Sequence, residues 1–334
     1  MGNRPSRSLA PRNQVTPEID ILVSEVGPRD GLQSIKRAMP TAIKHRWIAA
    51  LAGAGLREIE VGSFVSPKLL PQMADAEEVV KEGVKIPGLT VLALVPNLKG
   101  AEGAIAAGAH KLTVPTSASR EHSMANVRKT PEESIDEVRK IAELCEALPE
   151  GRRPAVEAGI STAFGCSLQG IVSEDWVIQM ASLLVKAGAQ SVGLSDSVGY
   201  ANPKQVKRMF TRLKREIGEK AGAAHFHNTR GQGLANVVAA LEAGVGTFDA
   251  SQGGIGGCPY APGATGNIVT EDLVFLLESM GLRTGIDLKR LIAARAIISE
   301  GLPGEPIYGN VPDAGLPKGF VYAAARSGNS QLGG

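Results

Sequence analysis

Cysteine is scarce in this chain of 334 residues: Cys145, Cys166 and Cys258 form an odd set of three with no Cys-x-x-Cys pair. That pattern excludes a disulfide framework and fits a reducing compartment, so each thiol is read on its own. Aromatic residues make up only 4%, which argues against a base-stacking platform, and a formal net charge of +2 gives no reason for a nucleic-acid surface. No apolar run approaches the ~20 residues of a membrane span, and the N-terminus lacks the apolar core of a secretory signal. A cytoplasmic protein with no membrane partner is expected. Residues 1–17 contain no acid but do contain Arg4, Arg7 and Arg12 among Pro5, Pro11 and Pro17, which predicts a disordered leader.

What is present is an ordinary globular balance, 43% hydrophobic and 21% charged, and a recurring junction. The junction reads Leu51-Ala-Gly-Ala-Gly-Leu-Arg-Glu-Ile-Glu-Val61, Ala106-Ala-Gly-Ala-His-Lys-Leu-Thr-Val114, Lys186-Ala-Gly-Ala-Gln-Ser-Val-Gly-Leu194 and Glu242-Ala-Gly-Val-Gly-Thr-Phe-Asp249. Each copy is a helix closed by glycine and followed by a β-branched run, hence a strand. Filling the gaps predicts strands near 20–26, 57–62, 89–95, 110–115, 154–160, 190–195, 222–227 and 246–251, with amphipathic helices between them. Eight such units close a (β/α)8 TIM barrel in the α/β class. A doubly wound sheet is the competitor, but no Gly-x-Gly-x-x-Gly follows the first strand. The barrel is placed at residues 18–285. Residues 286–334 are left for a short C-terminal helix and a Gly/Pro-rich tail that reads as irregular packing or lid material.

Barrel active sites lie at the C-terminal strand ends, and the unusual residues of this chain fall there. His225 and His227 alternate on the seventh strand, so both imidazoles face the same way; alone, they fit a solvated pair as well as a metal site. After strand 1, Asp30 offers a hard oxygen ligand and Arg29 a fixed cationic fork for an enolate or carboxylate oxygen. Glu60 stands in an apolar strand and needs a partner, for which Arg29 is the natural choice. Asp196, after strand 6, either orients an imidazole or caps the turn. The last strand feeds a Gly/Pro-rich loop, Gly253 to Asn267, too long for a plain connection and expected to act as a lid. Cys258 in its middle is placed for proton transfer, and Asn267 at its end can add an amide oxygen to Asp30, His225 and His227. Two imidazoles and two oxygens favour Mg2+ or Mn2+ over a closed zinc site.

With these residues in place, the chain resembles the hydroxymethylglutaryl-CoA lyases. The likeness runs through Val26-Gly-Pro-Arg-Asp-Gly-Leu-Gln33, Ser63-Phe-Val-Ser-Pro-Lys68, Pro96-Asn-Leu-Lys-Gly100, Leu194-Ser-Asp196, His225-x-His227 and the Gly254 to Asn267 loop with its Gly-Gly-Cys-Pro-Tyr. The resemblance implies that Asp30, His225, His227 and Asn267 bind the cation and that Arg29 stabilises the enolate. It makes Cys258 the acid/base at that carbon and has His225 assist proton removal from the substrate hydroxyl. It also implies an acyl-CoA substrate, with Lys36, Lys68 and Lys99 near its phosphates; a homodimer or higher homo-oligomer is left open by the sequence. Three departures stand out: Asn228 replaces a usual Asp and removes a carboxylate that holds an imidazole, while Gly62 and Ser167 are expected to reshape the acyl pocket. A condensing synthase of the same barrel group is the alternative enzyme, and a barrel that binds acyl-CoA without turnover is the non-catalytic one.

Overall fold

Four glycines set the rhythm of the chain. Gly55, Gly108, Gly188 and Gly244 have φ of 107°, 93°, 102° and 84°, the left-handed conformation that closes a helix without a Cβ clash. Each stands three residues before a strand. The structure is a computed structural model that describes residues 18–256 and 266–326. Its strands are β1 (Leu22–Glu25), β2 (Glu58–Ser63), β3 (Thr90–Leu94), β4 (Lys111–Ser117), β5 (Ala155–Ser161), β6 (Ser191–Asp196), β7 (Ala221–Phe226) and β8 (Thr247–Ala250). They close a parallel barrel in sequence order, with β8 paired to β1. The expected fold class is the observed one, and the open-sheet alternative falls.

The surrounding helices are α1 (Thr41–Gly53), α2 (Ala76–Gly83), α3 (Leu98–Ala107), α4 (Arg120–Val127), α5 (Pro131–Glu146), α6 (Glu174–Lys186), α7 (Pro203–Ile217), α8 (Gly233–Glu242) and α9 (Thr270–Ser279). After the barrel come α10 (Leu288–Gly301), α11 (Asn310–Ala314) and α12 (Ala323–Arg326). The Thr130 hydroxyl and the Glu133 carboxylate cap the start of α5 reciprocally, as the local Thr-Pro-Glu-Glu pattern requires. Neither α4 nor the two short tail helices were expected. Among the described residues no helix is long and apolar enough to cross a membrane.

Alternate side chains of each strand pack outward under the helices; Ile59, Val91, Leu112, Val156, Leu194, Phe226 and Phe248 are all essentially buried there. The inward set is mostly polar. Lys111 Nζ lies 2.8 Å from Glu58 Oε2 and 3.3 Å from Glu157 Oε2, where most barrels carry layers of branched apolar residues. Beyond the barrel, the described part of the tail packs against α9. Asp272 receives the amides of Asn310 and Val311 at 2.9 and 2.7 Å, and Glu278 receives that of Ala323 at 2.8 Å.

Candidate active site and metal centre

β1 runs into a single π-helical turn, Gly27–Gly31, in which the amides of Arg29, Asp30 and Gly31 converge on the Val26 carbonyl at 3.1, 2.7 and 3.3 Å. Glycine is needed at both ends. A Cβ on Gly27 would lie 2.5 Å from Glu25 Oε1, and one on Gly31 would lie 2.7 Å from Ile255, near the start of the Gly/Pro-rich loop. This close approach brings the first and last strands' loops together and turns Arg29 and Asp30 to the barrel mouth.

Arg29 Nε donates to Glu60 Oε2 at 2.5 Å, a second guanidinium nitrogen pairs with the same carboxylate, and Nη1 donates to Asp30 Oδ1 at 2.6 Å. Glu60 is therefore the expected partner of Arg29, and the Thr113 hydroxyl holds its other oxygen. Burial opposes the Arg29 charge, but Glu60 and Asp30 together raise its pKa. Asp30 is likewise desolvated, yet Arg29 and the two histidines hold its carboxyl well below the usual range. Gln33 Nε2 donates to Asp30 Oδ1 at 3.0 Å and Asn267 Nδ2 to Oδ2 at 2.8 Å.

His225 and His227 face each other with ring centroids 5.2 Å apart. His225 Nδ1 lies 3.1 Å from Asp249 Oδ2, directly opposite it in the β7·β8 register. Burial disfavours the imidazolium of His225, but this bond and the Asp249 charge outweigh it and raise its pKa. His227 has no such support, and burial followed by the His225 charge pushes it down to about 4, leaving a neutral ring fit for ligation. Asn267 reaches the pair through an antiparallel bridge to His227.

Whether these residues fit a cation is tested by their unused atoms. One ligand atom each from Asp30, His225 and His227 lies within 4.8 Å of the others. His227 Nδ1 and Asn267 Oδ1 are buried without any hydrogen-bond partner, a costly state that a bound divalent ion relieves. The set fits a hard cation with mixed nitrogen and oxygen ligands.

The remaining expectations divide. Asp196 takes the turn-capping alternative: Oδ1 accepts the Tyr200 amide at 2.8 Å and Oδ2 that of Ala201 at 3.1 Å. Burial raises its pKa to about 6. Asn228 holds neither imidazole: Asp249 supports His225, His227 Nδ1 stays without a partner, and Asn228 Oδ1 accepts the Gly233 amide at 3.0 Å at the start of α8. Gly62 does not border the barrel interior; its missing Cβ makes room for Ala76 of α2, 3.1 Å away. Lys36, Lys68 and Lys99 are exposed on the loops and helix start following β1, β2 and β3. Cys258 and the rest of the expected lid, residues 257–265, lie outside the described residues. Asp249 and Gln33 were missed, although Asp249 carries the signal that marked Glu60, a carboxylate alternating with apolar strand residues.

Fold and site together define a (β/α)8 enzyme with a candidate divalent-metal centre at its C-terminal mouth. The HMGL-like family model matches residues 20–298. Mitochondrial hydroxymethylglutaryl-CoA lyase of Gallus gallus is 40% identical over 282 residues, 84% of this chain and 93% of that one. Hydroxymethylglutaryl-CoA lyase YngG of Bacillus subtilis is 39% identical over 287 residues, 86% and 94% of the two chains. Among solved structures, an HMG-CoA lyase from Acinetobacter baumannii in complex with coenzyme A and 3-methylmalate superimposes with a TM-score of 0.84 at 40% identity, covering 90% of this chain and 97% of that one. The chain belongs to the HMGL-like family, and with it to the carbon–carbon lyases.

Proposed function

We propose that the protein cleaves 3-hydroxy-3-methylglutaryl-CoA, or a related 3-hydroxy-3-alkylglutaryl thioester, to acetyl-CoA and acetoacetate or its 3-oxo analogue, with Mg2+ or Mn2+ as cation. The observation that carries this reading is the convergence of Arg29 and Asp30 from β1 with His225, His227 and Asn267, two of whose buried polar atoms are unpartnered. A divalent ion held by Asp30, His225, His227 and Asn267 would supply Lewis-acid polarisation of substrate oxygens.

The reaction removes the tertiary hydroxyl proton, breaks the C2–C3 bond, leaves C3 as a ketone and protonates C2 of the acetyl-CoA enolate. Arg29 has N–H groups beyond those bound by Glu60 and Asp30 and is the fixed positive charge for the enolate oxygen. Glu60 and Thr113 keep that guanidinium in place. His225 has one ring nitrogen outside its bond to Asp249, and Asp249 thereby sets which nitrogen meets the ion or the hydroxyl proton. Cys258 is assigned the proton transfer at C2, and Lys36, Lys68 and Lys99 the CoA phosphates. The test is acetyl-CoA release from the thioester with Mg2+ or Mn2+. Arg29→Ala is expected to lower kcat by roughly 100- to 1000-fold; no cleavage of any such thioester by the unaltered protein would refute the assignment.

A further inference from the structure

Four glycines lie within the barrel strands, and three have a packing reason. A Cβ on Gly62 would meet Ala76 at 3.1 Å, one on Gly193 the Ala223 carbonyl at 2.7 Å, and one on Gly222 the backbone of Val192 at 3.2 Å. Gly159, in the middle of β5, has none: a Cβ there would find nothing within 4 Å. Its φ lies outside the left-handed region, so the backbone does not demand glycine either. Glycine inside a strand weakens it, and where neither turn nor crowding explains it, close approach of a ligand is the remaining physical reason.

The position of this gap gives it meaning. Strand side chains alternate, so Glu157, which reaches Lys111 in the lumen, and Gly159 share the inward face of β5. Gly159 pairs with Gly193 on β6, and Ser195, two residues on, pairs with His225 on β7. Alternate strands contribute to the same side-chain layer of a barrel, so Gly159 is level with His225 and on the same side of the lumen. Its other neighbour in register is Pro115 of β4, which is partly open to the interior, as Gly159 itself is. A notch with uncharged walls therefore lies beside the candidate metal centre, floored by Gly159 and flanked by Pro115 and Gly193, with the Glu157–Lys111 pair one layer below.

Resting on the lyase reading above, we infer that Gly159 determines acyl specificity: the notch receives the C3 substituent of the substrate and admits alkyl groups longer than methyl. Of the four groups on C3, the hydroxyl and carboxylate-bearing arms would face the residues that would hold the ion, and the thioester arm Arg29 and the mouth. The alkyl group is the one left for an uncharged recess.

The experiment compares kcat/KM for thioesters bearing methyl, ethyl, propyl and isobutyl at C3, with Mn2+ present, in the unaltered enzyme, Gly159→Ala and Gly159→Leu. The unaltered enzyme is expected to cleave the longer homologues within about tenfold of the methyl compound. Gly159→Leu should lower the ratio of isobutyl to methyl by at least about tenfold, since each methylene is worth about that much in a fitted pocket, and Gly159→Ala should fall between. Cleavage of the methyl compound with rejection of every longer one overturns the inference while leaving the lyase reading intact. A substrate ratio unmoved by substitution at Gly159 overturns it equally. Failure to cleave any of the four overturns the lyase reading itself. Should Gly159→Leu not fold, the homologue series and Gly159→Ala decide.

Discussion

Among single residues, Glu25 shows how much chemistry one carboxyl can hold outside the catalytic set. It ends β1, is fully buried, and receives the amides of Gly27 and Gln252 on one oxygen, both at 2.8 Å, with the Thr270 hydroxyl 2.6 Å from the other. It thus ties the first strand to the segment after the last. Burial pushes its pKa up to about 8 from the ordinary 4.5. The folded protein then holds a proton that the unfolded chain has released, so the stabilisation is complete below pH 4.5 and declines as pH rises towards 8. The slope is roughly 1 kcal/mol per pH unit. Thermal melts from pH 5 to pH 9 should show the unaltered protein losing Tm relative to Glu25→Gln, which keeps the acceptor and cannot ionise. Parallel Tm curves for the two proteins would show that Glu25 is ionised throughout. Nothing in the sequence marked this residue beyond its place in the Glu-Val-Gly-Pro-Arg-Asp stretch, because two of its three partners, Gln252 and Thr270, lie more than two hundred residues away.

Elements were legible where their causes are local. The Ala-Gly junctions specify where a helix must stop and a strand begin, and all eight strands fall where those junctions and the apolar runs place them. The helix α4 was not legible, since Arg-Glu-His-Ser-Met-Ala-Asn-Val has no apolar stripe and is held by the Ser119 cap and by burial of His122 and Ser123. The tail was ambiguous for a related reason: its anchors are buried charges on other elements. Arg295 of α10 donates to Glu271 and to the Tyr308 carbonyl, both at 2.8 Å, while Glu271 accepts the Gly253 amide at 3.2 Å. The Tyr308 amide donates to the Gly253 carbonyl at 2.7 Å. The base of the Gly/Pro-rich loop is thus gripped on both sides. Arg295→Met should cost about 3 kcal/mol by leaving Glu271 charged and unpaired in the interior, and the added substitution Glu271→Gln should restore part of that loss. Denaturant unfolding of the single and double variants measures both, and a double variant no more stable than the single one would show that the ion pair is not what grips the loop.

At the scale of the whole molecule, barrel closure does what no local pattern reveals. It sets β8 beside β1, which explains why Asp30 and Asn267, 237 positions apart, meet at 2.8 Å. The candidate ligands Asp30, His225 and His227 were legible because they lie at or just past strand ends, and Asn267 because it closes the loop after the last strand, whereas the Asp249 support for His225 depends on the β7·β8 register, which alternation alone does not fix. On the proposed reading, a cation bound by Asp30, His225, His227 and Asn267 would cross-link β1, β7 and the segment after β8. An ion that binds only the folded state stabilises it by RT ln(1 + [L]/Kd), about 2.7 kcal/mol at a hundredfold excess over Kd. Calorimetric scans of the chelated protein and of the protein with saturating Mn2+ should therefore differ by several degrees in Tm. His227→Ala should abolish the shift, because it removes a proposed ligand whose ring burial keeps neutral. Asp249→Asn should reduce it less, because the ligand ring survives and only its orientation and basicity are weakened. A full Mn2+ shift in His227→Ala would mean that the ion binds elsewhere, and the unpartnered atoms of His227 and Asn267 would then need another ligand.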